Sequence, residues 1–119
     1  MKTKRALLVV ESTKKALNRA FGVISKQSRK YEGVTIISFP NYETLGKAIT
    51  GARIELLNVI REKKPNSIQE LARFVKRDFK NVYMDVKFLQ EFGLIELEEN
   101  GARRSSIPHS KFNELLLAA

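Results

Sequence analysis

The sequence predicts an α+β fold in two parts. Three observations predict it. Two short β-branched runs, RALLVVE at 5–11 and VTIISF at 34–39, bracket an apolar stripe at helical spacing. From Ala52 onward, further helical stripes are separated by Pro65 and by Lys76-Arg77-Asp78. An Asn-Gly pair at 100–101 then stands between two strand-like runs. The expected division is a strand–helix–strand unit over 1–40, serving dimerisation or partner binding, and a larger helical unit with a hairpin and a last helix over 41–119.

The elements follow in order. Ser12 or Thr13 can cap a first helix whose stripe is Ala16, Leu17, Ala20, Phe21 and Ile24. The strands on either side of it either pair in parallel through one crossover or pair across a dimer. Pro40 ends the second strand, and Asn41 caps the next helix, which either breaks at Gly51 or runs on into ARIELLNVIREKK. There Ile54, Leu57 and Ile60 read as the core stripe with Leu56 beside it, and Pro65 stops the helix. SIQE at 67–70 is a capping box, in which Ser67 accepts from the first turn and Glu70 reaches back. It opens a short helix over 68–75 with Leu71, Ala72 and Val75 inward. Asp78 caps a longer helix over 79–92 with Val82, Val86, Leu89 and Phe92 buried, closed by Gly93. Asn100-Gly101 predicts a two-residue type I′ hairpin turn. Ser110 can cap a last helix over 111–118.

Composition bounds the function. The chain has 119 residues, 43% hydrophobic and 29% charged, enough for a packed core and too ordinary for disorder. It has no cysteine, which excludes disulfides and thiolate chemistry and fits a reducing cytoplasm. No apolar run approaches the roughly 20 residues that span a bilayer, and the five of ALLVV are too few for a signal-peptide core of about 7–15. The net charge is +9, and residues 1–30 hold nine basic side chains against Glu11 alone. Such asymmetry points to a polyanionic partner.

From Ala52 the order helix, helix, tight linker, helix, hairpin predicts a winged helix-turn-helix. Its third helix has the length to lie in a major groove about 12 Å wide. With Val82, Val86 and Leu89 inward, that helix turns Lys80, Asn81, Tyr83, Met84 and Lys87 outward. Asn can bond adenine bidentately, Lys can reach guanine or phosphate, and apolar atoms can touch a thymine methyl. The competing role for Tyr83 or Met84 is packing against the N-terminal unit or a second subunit. Arg103 and Arg104 stand where a wing meets the backbone or minor groove. Ser67, Gln69, Arg73 and Arg77 are candidate phosphate positioners. Leu8, Val10, Leu17, Phe21, Ile24 and Ile36 supply more apolar surface than so small a unit buries alone, and are the expected dimer contacts.

Catalysis and metal binding find little support. His109 is the single histidine and has no cysteine or second histidine beside it. Glu96 and Glu98 fall on one strand face and Glu99 on the other, as on a solvated hairpin. The glycines at 22, 33, 46 and 51 are isolated and form no phosphate loop. No cofactor, no metal and no enzymatic activity are expected.

Arg77-Asp78, Asn81-Val82, Asp85-Val86 and Gly93-Leu94-Ile95, in this order and spacing, resemble a family of prokaryotic DNA-binding regulators with a MarR-like winged helix. The likeness covers about the last two-thirds of the chain. It implies a transcriptional regulator, often encoded beside a toxin-like gene. The expectation is therefore a cytoplasmic homodimer that binds double-stranded DNA. A second reading is an antitoxin of a toxin–antitoxin module, whose N-terminal unit binds an acidic protein toxin while the winged helix autoregulates the operon. A third makes the winged helix a protein-interaction module and the basic helix a membrane-surface binder.

Overall fold

Both β-branched runs are strands, β1 (Arg5–Val10) and β2 (Val34–Phe39), and they pair in parallel within one chain, Leu8 opposite Ile37. The computed structural model describes residues 4–11, 15, 34–100 and 105–118. The helix expected between the strands, with Leu17, Phe21 and Ile24, lies outside the described residues. Two compact units divide the fold: Met1–Lys47 with Phe112–Ala119, and Ala48–Lys111. The whole is mixed α plus β, with four helices and two small sheets among the described residues.

In the first unit β1 is the central strand of three. Its second neighbour is β5 (Glu114–Leu117), also parallel. Successive residues Leu8 and Val9 are both buried, so both faces of β1 are covered. That is the pattern of a parallel sheet, and the reason its run is unbroken rather than alternating. Strand β5 corrects the expected last helix over 111–118. The cause is tertiary. Lys4 donates its N–H to Asn113 Oδ1 at 3.0 Å, and its carbonyl accepts from the N–H groups of Asn113 and Glu114. The N–H of Ala118 reaches the carbonyl of Leu8 at 3.0 Å. An eight-residue helix is marginal by itself, and these partners satisfy the backbone in extended form.

Helix α1 (Tyr42–Ala48) starts at Asn41, whose Oδ1 accepts from Thr44 N–H at 2.7 Å. It does not run on. Thr50 is extended and its hydroxyl accepts from Arg53 N–H, so a new helix, α2 (Gly51–Lys63), begins at Gly51. The α2 core stripe is Leu56, Leu57 and Ile60; Ile54, expected inward, is 40% exposed. The inward face is thus centred nearer Leu56 than the 54–57–60 spacing implies. Lys64 closes the helix at φ 47°, left-handed rather than extended, and Pro65 follows, buried.

Helix α3 (Ile68–Val75) has the predicted bounds. Ser67 Oγ accepts from Glu70 N–H at 3.0 Å. The reciprocal arm lands one residue early, with Glu70 Oε1 accepting from Asn66 N–H at 3.2 Å. Leu71 and Ala72 are buried. Lys76, at φ 56°, ends α3, and Arg77 N–H returns to the carbonyl of Ala72. Helix α4 (Phe79–Glu91) buries Val82, Val86 and Leu89. Asp78 holds its N-cap position without a side-chain cap bond. At the far end Gly93 N–H bonds Gln90 O and Leu94 N–H bonds Leu89 O, a Schellman closure with Gly93 at φ +82°.

The hairpin is β3 (Ile95–Asn100) with β4 (Ser105–Ser110), antiparallel. Its register corrects the two-residue Asn100-Gly101 turn, because Asn100 pairs with Ser105 and leaves residues 101–104 between them. A two-residue turn there would set Arg104 opposite Leu97 on the inner face. The observed register sets buried Pro108 there instead. Glu98 and His109 share the outer face and pair at 2.8 Å, while Glu99 accepts from Ser106 Oγ.

Candidate nucleic-acid interface

The inward stripe of α4 decides what its other side presents. At about 100° per residue, Met84 points opposite Val82, Val86 and Leu89. It is 59% exposed, more than any other large apolar side chain described in the Ala48–Lys111 unit. Lys80 and Lys87 lie one turn to either side of it, both exposed. Tyr83 and Asn81 are two residues apart, so they stand on opposite flanks, about 160° from each other around the axis. All five residues expected on the outer face are exposed.

The Tyr83 ring is held from two sides. The Phe79 ring lies 5.9 Å away, centroid to centroid, and Lys87 Nζ sits 5.5 Å from the Tyr83 centroid. This i, i+4, i+8 line is geometry that a helix imposes. Phe79 is itself 46% exposed, and the sequence reading missed it.

On the other flank Asp85 joins three elements. Its Oδ1 accepts from Arg53 Nε of α2 at 3.2 Å, and its Oδ2 accepts from Arg77 Nη2 of the α3–α4 linker at 2.7 Å. The Arg53 guanidinium also lies over the Phe88 ring, 4.0 Å from its centroid. All three charged side chains are largely covered, with 15% to 30% of their surface exposed. Such a partly desolvated, charge-assisted cluster fixes α4 against α2 and the linker. Arg77, expected to meet phosphate, is therefore engaged inside the unit. Asp85 and Arg53 were missed as its partners. The available signal was that Asp85 is the one acid of α4 before Glu91.

The remaining predicted residues scatter. Ser67 Oγ is occupied by its cap. Gln69 and Arg73 are exposed on α3. Arg103 and Arg104 lie outside the described residues. Of the expected dimer contacts, Leu8 is 1% exposed in its own sheet, and Val10 and Ile36 are half-buried. A groove of about 490 Å³ between the end of α2 and β4, lined by Arg61, Lys64, Pro65 and His109 among others, contains none of the predicted site residues. Among the described residues no cluster of His, Asp or Glu is placed to hold a metal ion, and no helix is long and apolar enough to cross a membrane.

None of the curated proteins matches the chain. The family model HVO_A0114 matches residues 48–115, more than half of the chain and all of the unit that carries α2 to β4. The chain belongs to the HVO_A0114 family.

Proposed function

We propose that the protein is a sequence-specific, duplex-DNA-binding transcriptional regulator acting in the cytoplasm, in which the Ala48–Lys111 unit works as a MarR-like winged helix-turn-helix. In this reading α4 enters the major groove, α3 stands over the backbone, and the β3–β4 hairpin is the wing. The observation that carries it is the solvent face of α4. A helix held at one flank by Asp85 presents Met84 on its outermost line with Lys80 and Lys87 one turn to either side, and Tyr83 and Asn81 on its two flanks. Such a surface is unfavourable in water and suits a groove that offers phosphates at its rim and base edges in its floor.

The test is selection from a pool of randomised duplexes, followed by fluorescence anisotropy on the enriched sequences. A discrete site should emerge, and Asn81→Ala should weaken that site more than it weakens random duplex. A pool that shows no enrichment over many rounds would remove the reading.

A homodimer assembled through the N-terminal unit belongs to the same proposal. Two α4 helices about 34–36 Å apart would then meet a palindromic site. Since Leu8 is already buried, the interface falls to Val10, Ile36, Leu17, Phe21 and Ile24. The charge of residues 1–30 favours a second role in the same unit, capture of an acidic toxin as an antitoxin. Co-expression with the product of the adjacent gene and co-purification test that role. No complex with a small acidic neighbour would end it.

A further inference from the structure

The apolar centre of α4 has a chemistry of its own. Resting on the DNA-binding reading above, we infer that Met84 and Tyr83 read thymine methyl groups, and that the preferred site carries thymine at no fewer than two positions under α4. In the major groove guanine, adenine and cytosine are recognised through hydrogen-bond donors and acceptors, whereas thymine adds a methyl group to its O4 acceptor. The C5 methyl of thymine is the one apolar group on offer. A thioether or a phenyl ring pressed against the edges of guanine, cytosine or adenine would strip them of water and return no bond, which is costly. Against a methyl the same contact is favourable.

The positions of the two side chains agree with this. Met84 lies on the outermost line of the helix, with 59% of its surface free. Tyr83 is the next residue, about 100° around the axis, so the pair covers the floor and one wall of a groove. Tyr83 is also pre-set, with the Phe79 ring 5.9 Å from its own and Lys87 Nζ 5.5 Å from its centroid. Phe79 is thus a positioning residue for Tyr83. Lys80 and Lys87 lie one turn to either side of Met84 along the axis, where they can reach phosphates and leave the contact of Met84 itself apolar.

The test replaces thymine by deoxyuridine, which deletes the methyl and keeps the base pair. The probe is the tightest duplex recovered from the randomised pool, made once with thymine and once with uracil throughout. Each contacted methyl should be worth about fourfold in affinity, the equivalent of one buried methylene, so two contacts give more than tenfold preference for thymine. Met84→Ala and Tyr83→Ala should each reduce that preference, and the double variant should abolish it. Tyr83→Phe, which keeps the ring, should retain it. Phe79→Ala should lower the share due to Tyr83 without changing the salt dependence of binding, and Phe79→Tyr should restore it. These side chains are exposed, so thermal melting should report folded variants. Wild-type protein that binds thymine and uracil duplexes equally overturns the inference and leaves DNA binding intact. So does a preference that survives the double variant. Failure to recover any duplex removes the DNA-binding reading itself.

Discussion

Asp85 Oδ2 accepts a hydrogen bond from Arg77 Nη2 at 2.7 Å, eight residues away, tying α4 to the α3–α4 linker. With Oδ1 taken by Arg53, one carboxylate serves two guanidiniums. Its removal is therefore not equivalent to removal of either arginine. Asp85→Ala strands two partly buried cations beside each other, whereas Arg77→Ala leaves Asp85 paired with Arg53 and also deletes Arg77 Nη1, a buried nitrogen with no partner among the described residues. Hydrogen bonds to charged groups are worth about 1.5–3 kcal/mol, and partial exposure lowers this. Asp85→Ala should cost about 2–3 kcal/mol in urea unfolding and Arg77→Ala about 1 kcal/mol. Equal losses would show that the three charges do not act as a clamp.

Backbone conformation supplies a pair of predictions of opposite sign. Lys76 ends α3 at φ 56°, where a side chain costs about 1–2 kcal/mol. Lys76→Gly should stabilise by about 0.5–1 kcal/mol once the greater freedom of unfolded glycine is subtracted. Gly93 stands at φ +82° with nothing within 4 Å of an added Cβ. Gly93→Ala should therefore lose only the conformational preference, about 1 kcal/mol. Midpoints of chemical denaturation measure both, and a loss well above that at Gly93 would point to a contact the geometry does not contain.

The α3 cap is a single hydrogen bond at a helix start. Ser67→Ala should cost about 1 kcal/mol, and Ser67→Asp should recover most of it. Amide exchange at Glu70, whose N–H bonds Ser67 Oγ, reads the loss locally. Unchanged protection there would mean that the cap contributes nothing.

Phosphate contacts are counted by salt. If Lys80 and Lys87 each neutralise one phosphate, replacing either by Ala should reduce the slope of log K against log salt by about 0.9. Met84→Ala should leave that slope alone. A slope unmoved by both lysine variants would place them away from the backbone.

Strand β5 predicts selective damage. Truncation after Phe112 removes the partner of Ala6 and Leu8 and leaves the Ala48–Lys111 unit whole. Hydrogen exchange should rise in β1 and β2 while α2 to α4 stay protected. Uniform loss of protection would show that the two units unfold together.

Where the signal was local, the sequence was legible. Ser67 with Glu70, Gly93, and the Val82–Val86–Leu89 stripe each work within a few residues, and α3 and α4 lie where these place them. Legibility ended where partners are distant. ELLL at 114–117 is made of helix formers, yet it is a strand because Lys4 and Leu8 supply hydrogen bonds at its two ends; tertiary context overrides propensity. The Asn-Gly pair signals a turn but not the register, which the inward placement of Pro108 decides. In the candidate site, the outward set from Lys80 to Lys87 follows from helical phase alone. The clamp does not, since Arg53 and Asp85 are 32 residues apart and nothing in either neighbourhood announces the other.

The bond between Lys4 and Asn113 spans 109 residues, and that distance sets an order of events during synthesis. Segment 48–111 is complete on a growing chain before β5 has been made, and domains fold as units while translation proceeds. Its helices make contacts of short sequence separation, which form fast. The sheet of β1 and β2 must meanwhile hold one edge of β1 open until β5 emerges. Strands made before the helical segment are therefore finished after it. During that interval the uncovered edge of β1 is open to chaperones and to other nascent chains.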